Sequence, residues 1–164
     1  MKQILLPKGL VALVDDEDYD RISQYKWHAQ YNPRTRSWYA IRGKYVGNGH
    51  QKTVRMSREI MRAETKQLID HWNHDTLDNR KQNLRVCSNN QNQHNQCKHI
   101  GVSSRYKGVS WRQRGSCGRW IVTIKIKDES VYLGSFKEEK EAALAYNKSA
   151  STHFGAFACL NVIE

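Results

Sequence analysis

The chain has 164 residues, with 27 Lys and Arg against 16 Asp and Glu, a formal net charge of +11 and a pI of about 9.6. It has no run of the roughly 20 apolar residues needed to cross a bilayer, and Met1 to Gly9 lack the features of a secretory signal. Hydrophobic residues make up 38% of the chain and include five Trp, which excludes a basic disordered tail. The composition predicts one or two folded cytoplasmic domains that bind a polyanion and no membrane.

The positive charge is concentrated in two segments. Residues 21–100 carry +10 and residues 101–127 carry +7, whereas each end of the chain carries −3. The second segment has no acidic residue and contains Tyr106, Trp111 and Trp120. Basic groups release counterions from phosphates, and aromatic rings stack or pack between them. Nucleic acid is therefore the favoured partner, and an RNA-binding protein is one alternative that the same features allow.

The first half of the chain is predicted to form short strands. Two are predicted over 4–6 and 10–14, joined by a turn at Pro7, and two more over 38–41 and 53–56. Ser57 is predicted to cap a short helix that runs to about Arg62. The four cysteines form no C-x-x-C pair, so we expect reduced thiols and no zinc finger.

A ββα unit is predicted over residues 67–96. Residues 67–70 lead into a polar loop, Leu84 to Cys87 form a second strand, and Ser88 with Gln91 has the form of a capping box that opens a helix at about Asn89. This helix consists almost entirely of amide and imidazole side chains. It is interpreted as lining a polar site, with a solvated linker as the alternative.

The last sixty residues predict a three-stranded antiparallel sheet followed by one helix. The strands are placed at 108–111, 119–126 and 130–133, and the middle one alternates apolar and polar residues. Ser135 and Glu138 suggest a second capping box, and Gly155 would end the helix. A stripe of small residues would lie close to the sheet and leave its other, basic face exposed. The whole chain is thus predicted to be α+β.

The densest polar cluster runs from Asp70 to Arg80 and continues to Asn83. Hydrolysis of a phosphodiester needs a divalent cation and a base that takes a proton from water. The carboxylate of Asp70 suits Mg²⁺, and His71 titrates near neutral pH. Neighbouring strand residues point to opposite faces, so we expect the backbone to turn at this pair. The alternative is that a loop rich in Asn and Asp simply forms turns.

One polar pattern runs from Asp70 through Leu77-Asp78-Asn79-Arg80 to Asn83-Leu84-Arg85 and is followed by Asn92 and Asn95. This pattern resembles the HNH endonucleases of phages and mobile introns. Residues 11–19 and the Met56-x-Arg58 segment are similar to the amino-terminal part of the same group. The resemblance implies an HNH ββα-metal core within a domain spanning 1–98, a linker over 99–104, and hydrolysis of DNA at a long, loosely specific site.

This resemblance also implies the roles of the site residues. Asp70 would be a metal ligand, His71 the general base, Asn83 a residue that holds the loop, and Asn92 the second ligand. The oxygen pair favours Mg²⁺ or Mn²⁺ over Zn²⁺. His94 is a rival ligand that should lie on another side of the helix. His74 is interpreted as a solvated or loop-bracing residue, and Trp72 as packing beneath the loop or, alternatively, touching DNA.

Residues 105–164 resemble an AP2 DNA-binding domain, through motifs such as Tyr106-Lys107-Gly108-Val109 and Tyr132-Leu133-Gly134. Members of that family in plants use the sheet to read a major groove, and several of their arginines are replaced in this chain. The residues at the contact positions include Lys107, Arg112, Arg114, Lys125 and Tyr132. Trp120 alternates with core residues and is interpreted as structural.

Together these features predict a metal-dependent DNA endonuclease of the HNH homing type with a carboxy-terminal AP2-like domain. It would act as a monomer that nicks one strand, or as a transient dimer on DNA that cuts both. The alternative is a non-catalytic AP2-like DNA-binding regulator whose HNH region has degenerated.

Overall fold

The computed structural model describes residues 1–47, 49–96, 103–114, 116–127 and 129–163. The chain forms two compact units, Met1–Ser88 and Asn89–Glu164. Most of the predicted linker, residues 99–102, lies outside the described residues. Within the described ranges, no helix is long and apolar enough to cross a membrane.

The first unit is built from short antiparallel strands and two helices. The strands pair as β1 with β2, β3 with β4 and β5, and β6 with β7, which confirms the predicted strands in this half. The elements are β1 Lys2–Leu5, β2 Val11–Val14, α1 Asp16–Ser23, β3 His28–Asn32, β4 Ser37–Tyr45, β5 Gln51–Arg55, α2 Met56–Ile60, β6 Leu68–His71 and β7 Leu84–Cys87.

The core of this unit lies where β2, the two helices and β7 meet. Ala12 and Val14 alternate inward from β2, and Ile22, Met56 and Leu84 pack against them. On the other side of β2, the backbone of Leu13 accepts a hydrogen bond from the Asn79 amide (2.8 Å) and donates one to the Leu77 carbonyl (2.9 Å). Strand β2 therefore fixes the loop that connects β6 to β7.

The second unit is a three-stranded antiparallel sheet with a helix packed on one face, as the sequence predicts. Val122 and Ile124 of the middle strand are buried against Ala142, Ala143 and other small residues of the last helix, and Gly155 ends that helix. The elements are α3 Asn89–Asn95, β8 Val109–Arg114, β9 Cys117–Ile126, β10 Glu129–Phe136 and α4 Glu139–Phe154.

Two predicted helix caps are wrong. Helix α2 begins at Met56, directly after the β5 ladder ends at Arg55, so Ser57 lies inside the helix and is buried. Ser135 is still paired in β10, and α4 begins at Glu139 without a side-chain cap. Strand pairing reaches the start of α2, and at α4 it includes Ser135 itself, ahead of the actual N-cap Glu138.

The described cysteines form no disulfide with one another. Cys87 is buried, Cys117 is exposed and Cys159 is half-buried. Burial raises the pKa of the Cys87 thiol, so this group stays protonated at neutral pH. Cys97 lies outside the described residues.

Candidate active site

Asp70 and His71 are the last two residues of β6. They pair with Arg85 and Leu84 of β7, and both are nearly inaccessible to solvent, with 8% and 6% of their surface exposed. The predicted turn at this pair is therefore wrong, because the strand ladder includes both residues and the chain turns only after His71. Consecutive strand residues face opposite sides, so the two side chains lie in different surroundings.

Asp70 lies on the same side of the hairpin as Arg85. The Arg85 Nε donates to Oδ2 of Asp70 at 2.9 Å, and its Nη2 lies 2.8 Å from the same oxygen. The guanidinium is itself largely buried, with its side chain 18% exposed. A charge pair at this depth holds the carboxylate in one orientation, and loss of either partner would leave a poorly solvated charge.

His71 lies on the other side, against Asn79 and Tyr39. Its Nε2 is 3.4 Å from Oδ1 of Asn79, while the Asn79 Nδ2 donates to the Leu77 carbonyl. Because that bond leaves the amide oxygen facing the ring, it favours the imidazole tautomer protonated at Nε2, with the basic lone pair on Nδ1. Burial lowers the pKa of His71 below its ordinary 6.5. The ring is therefore neutral at pH 7, the form that accepts a proton.

Most of the other polar residues in the loop form turns. The side-chain oxygens of Asn73, Asp75 and Asp78 each accept a hydrogen bond from the amide two residues further on. Asp78 is also bound by Arg80 through two bonds of 2.7 Å, and this arginine holds the pKa of the Asp78 carboxyl below its usual range. The turn-forming interpretation therefore accounts for these three side chains.

Asn83 connects the two ends of the loop. Its Oδ1 accepts the Asn73 amide at 2.9 Å, its Nδ2 donates to the Asp78 carbonyl at 2.8 Å, and its own carbonyl accepts the Trp72 amide. The residue is buried. These bonds fix the backbone that follows His71 directly, which is the arrangement that a loop-holding role requires.

Trp72 does not pack beneath the loop as expected. Its side chain is 61% exposed, beside the buried pair of Asp70 and His71. His74 is exposed and has a left-handed backbone (φ 65°), as a tight turn requires. The loop therefore presents one large aromatic ring to solvent.

Asn92 lies on α3, in the second unit, where it is half-buried. His94, the rival ligand, stacks on Phe154 with ring centroids 3.7 Å apart. Burial, helped by the nearby Lys107, lowers the pKa of His94. Among the described residues no group of three or more His, Cys, Asp or Glu could hold a metal ion. The predicted ligand pair is outside that class of cluster, because its second member is an amide.

Asp70 and Asn92 each carry an oxygen donor of a type that Mg²⁺ and Mn²⁺ take. One is a carboxylate oxygen and the other an amide oxygen. The Asp70 carboxylate already has a compensating cation in Arg85.

The sheet of the second unit carries exposed polar residues on the face away from α4. Arg112, Lys125 and Tyr132 are exposed there, Tyr132 to 60%. Arg114 belongs to β8, and its side chain is not described. The sequence prediction missed Arg119, which is exposed and lies directly opposite Arg112 in the register of β8 and β9. The two-residue alternation of β9 would have identified it.

Lys107 has a different environment from the one predicted. Its ammonium donates hydrogen bonds of 2.6 Å to the carbonyls of His94 and Gln96, at the C-terminal end of α3. The same lysine lines a cavity of about 470 Å³ with Lys125 and Lys127, and none of the cavity's described lining residues is acidic. The cavity therefore has a positive wall, while the Lys107 ammonium itself is occupied by backbone carbonyls.

Comparison with known proteins agrees with both halves of the sequence resemblance. The chain is 28% identical over 160 residues to a protein of Acanthamoeba polyphaga mimivirus named as an uncharacterized HNH endonuclease, a match covering 96% of this chain and 78% of that protein. It is 40% identical over 65 residues to dehydration-responsive element-binding protein 2D of Arabidopsis thaliana, which covers 38% of this chain and 30% of the plant protein. No family model matches, and no solved structure matches. The chain is thus a distant homologue of a protein named as an HNH endonuclease, with a partial similarity to a plant element-binding protein.

Proposed function

We propose that the chain is a metal-dependent DNA endonuclease of the HNH homing type. The observation that carries this proposal is the buried Asp70–His71 pair at the end of β6, with the imidazole oriented by Asn79 and the following loop held by Asn83. Similarity to the mimivirus protein extends over nearly the whole chain and includes these residues within its span.

In this proposal His71 is the general base. Its Nδ1 accepts a proton from water, and the oxygen of that water attacks the phosphorus in line with the leaving 3′ oxygen. The bond between phosphorus and the 3′ oxygen breaks, and the departing oxygen takes a proton from solvent, which leaves a 5′-phosphate and a 3′-hydroxyl. Asn83 acts by positioning, since its hydrogen bonds hold the backbone directly after the base.

Asp70 and Asn92 are the proposed ligands of a divalent cation, Mg²⁺ or Mn²⁺. The cation would supply stabilisation of the negative charge that develops on the phosphate and on the leaving oxygen. Arg85 holds the Asp70 carboxylate in its orientation. It is a positioning residue for that ligand.

The second unit is proposed to bind double-stranded DNA through its sheet, with contacts from Arg112, Arg114, Lys125 and Tyr132. Arg112 lies directly opposite Arg119, and two like charges in such a pair destabilise a bare sheet, so an anion between them would relieve the repulsion. Added to the first unit, this sheet would lengthen the recognised site. One set of catalytic residues per chain gives a nick from a monomer and a double-strand cut only from a transient dimer.

A second candidate is a non-catalytic DNA-binding regulator. The stronger local identity favours it, since 65 residues of the chain are 40% identical to a plant element-binding protein whereas the match over nearly the whole chain is 28%. In that case the first unit would have a structural role without catalysis, and Asp70 with Arg85 would be an ordinary buried ion pair.

Relaxation of supercoiled plasmid separates the two. With Mg²⁺ or Mn²⁺ the wild-type chain is expected to nick the plasmid, and EDTA or His71→Ala to stop it. His74→Asn is the matched control, because it changes an exposed histidine of the same loop to a residue that tolerates the left-handed backbone. A wild-type chain that shifts DNA but leaves the plasmid supercoiled with every metal would refute the nuclease and support the regulator.

A further inference from the structure

Arg55 is an exposed cation near the His71 site, and it has no carboxylate partner among the described residues. Arg55 ends β5, and its guanidinium carbon lies 4.4 Å from the centroid of the Tyr39 ring. The same ring lies near the imidazole of His71 in an edge-type arrangement, with centroids 6.4 Å apart. Arg55 and the proposed base are thus both neighbours of Tyr39.

The sheet register brings these residues together. Arg55 pairs with Ile41 in the antiparallel ladder of β4 and β5, so Tyr39 is its diagonal neighbour on the same face. The Tyr39 hydroxyl lies 3.3 Å from the Thr35 hydroxyl, which holds the far end of the ring. The stack is therefore built on strand backbone, and the position of the guanidinium is defined by the sheet.

Four arginines of the first unit are paired with carboxylates. Within the described part of the chain Arg55 has no ion pair. The paired arginines are Arg21 with Asp18, Arg42 with Glu59, Arg80 with Asp78, and Arg85 with Asp70.

Stacking on a ring face leaves the N–H groups of a guanidinium in its plane and able to donate. An exposed cation that is held in place by stacking and is not neutralised by an acid is suited to a bidentate contact with a phosphate. We propose that Arg55, held by Tyr39, binds a backbone phosphate of the DNA on the His71 side of the scissile bond. This inference rests on the proposed nuclease for the identity of the reacting phosphate, but the contact itself can be tested without cleavage.

The first test measures binding of the full chain to a random-sequence duplex in EDTA over a range of salt concentrations. Arg55→Ala is expected to reduce the slope of log affinity against log salt by about one phosphate contact, and Arg55→Lys to restore it. Lys52→Ala is the matched control, an exposed cation of the same strand whose side chain lies on the opposite face. A structural role alone would not change this slope, and circular dichroism checks that each variant is folded.

The second test measures single-turnover nicking of plasmid with Mg²⁺ at saturating protein. Loss of one charge-assisted phosphate contact is expected to slow Arg55→Ala about ten- to hundredfold, whereas Lys52→Ala stays within about twofold. An unchanged salt slope for Arg55→Ala, or an equal fall for Lys52→Ala, overturns the phosphate contact even if the wild type nicks. An unchanged nicking rate overturns its place beside the reacting phosphate. A wild type that binds but never nicks refutes the nuclease, and the binding slopes still decide whether Arg55 contacts DNA.

Discussion

Replacing Lys107 with Met should destabilise α3 and leave the salt dependence of DNA binding almost unchanged. The ammonium makes two hydrogen bonds of 2.6 Å to carbonyls at the C-terminal end of α3, a position where a cation also interacts favourably with the helix dipole. Hydrogen bonds to charged groups contribute about 1.5–3 kcal/mol each when buried. This side chain is half-exposed, so we expect a total loss of about 2 kcal/mol.

Amide hydrogen exchange over α3 measures this loss directly. A fall of about 2 kcal/mol in the free energy of local opening makes the protected amides exchange about thirtyfold faster. Lys125→Met is the matched control, since it removes an exposed lysine of the sheet face and should lower the salt slope of binding by about one. If Lys107→Met leaves exchange in α3 unchanged and lowers the slope instead, then Lys107 contacts phosphate as the AP2 resemblance implies, and the reasoning from its carbonyl contacts is wrong.

Three further outcomes are expected in the first unit. Asn83→Ala leaves two backbone groups of the loop without their partners. It should lower the free energy of unfolding, measured by urea titration, by about 2–3 kcal/mol. A loss no larger than that caused by Gln82→Ala, at an exposed neighbour, would contradict this. Burial lowers the pKa of His71 below 6.5, so the unfolded chain binds more protons at this residue than the folded chain. The contribution of His71 to stability is therefore complete above pH 6.5 and is lost as the pH falls through the pKa of the folded state. His71→Asn should therefore flatten the fall in urea stability between about pH 7 and pH 5, and an unaltered pH dependence would refute it. Asp70→Asn should abolish plasmid nicking. Asp75→Asn should retain it, because the amide oxygen of asparagine can still accept a hydrogen bond from the Leu77 amide. Equal nicking by both variants would show that Asp70 is not a metal ligand.

The strands and the second core could be predicted because their signals are local. Val122 and Ile124 lie on one face of β9, with Thr123 and Lys125 on the other. This period of two identifies the buried face from local sequence alone. The predicted caps at Ser57 and Ser135 failed for a related reason. Only Ser135 has the spacing of a capping box, but it is still paired in a strand, and Ser57 lies inside the helix that follows a strand directly.

Sequence spacing identified Asp70 and His71 but not their surroundings. Asn79 could be found in the same motif, although nothing in its spacing indicates that its amide oxygen faces the imidazole. Tyr39 and Arg55 come from other strands, and only the pairing of β4 with β5 brings them to one face. Contacts between residues that are distant in sequence depend on register, which no local pattern in this chain specifies.

The alternation of β6 constrains how one phosphate could meet both Asp70 and His71. Their side chains lie on opposite sides of the strand, so a shared substrate has to approach at the strand's end, where the chain turns at Trp72. The two sides differ in charge balance. On the Asp70 side the cation Arg85 is neutralised by Asp70 itself, whereas on the His71 side Arg55 has no carboxylate among the described residues. Arg55 therefore gives the side of the base a cation that no described carboxylate neutralises, which favours a phosphate there.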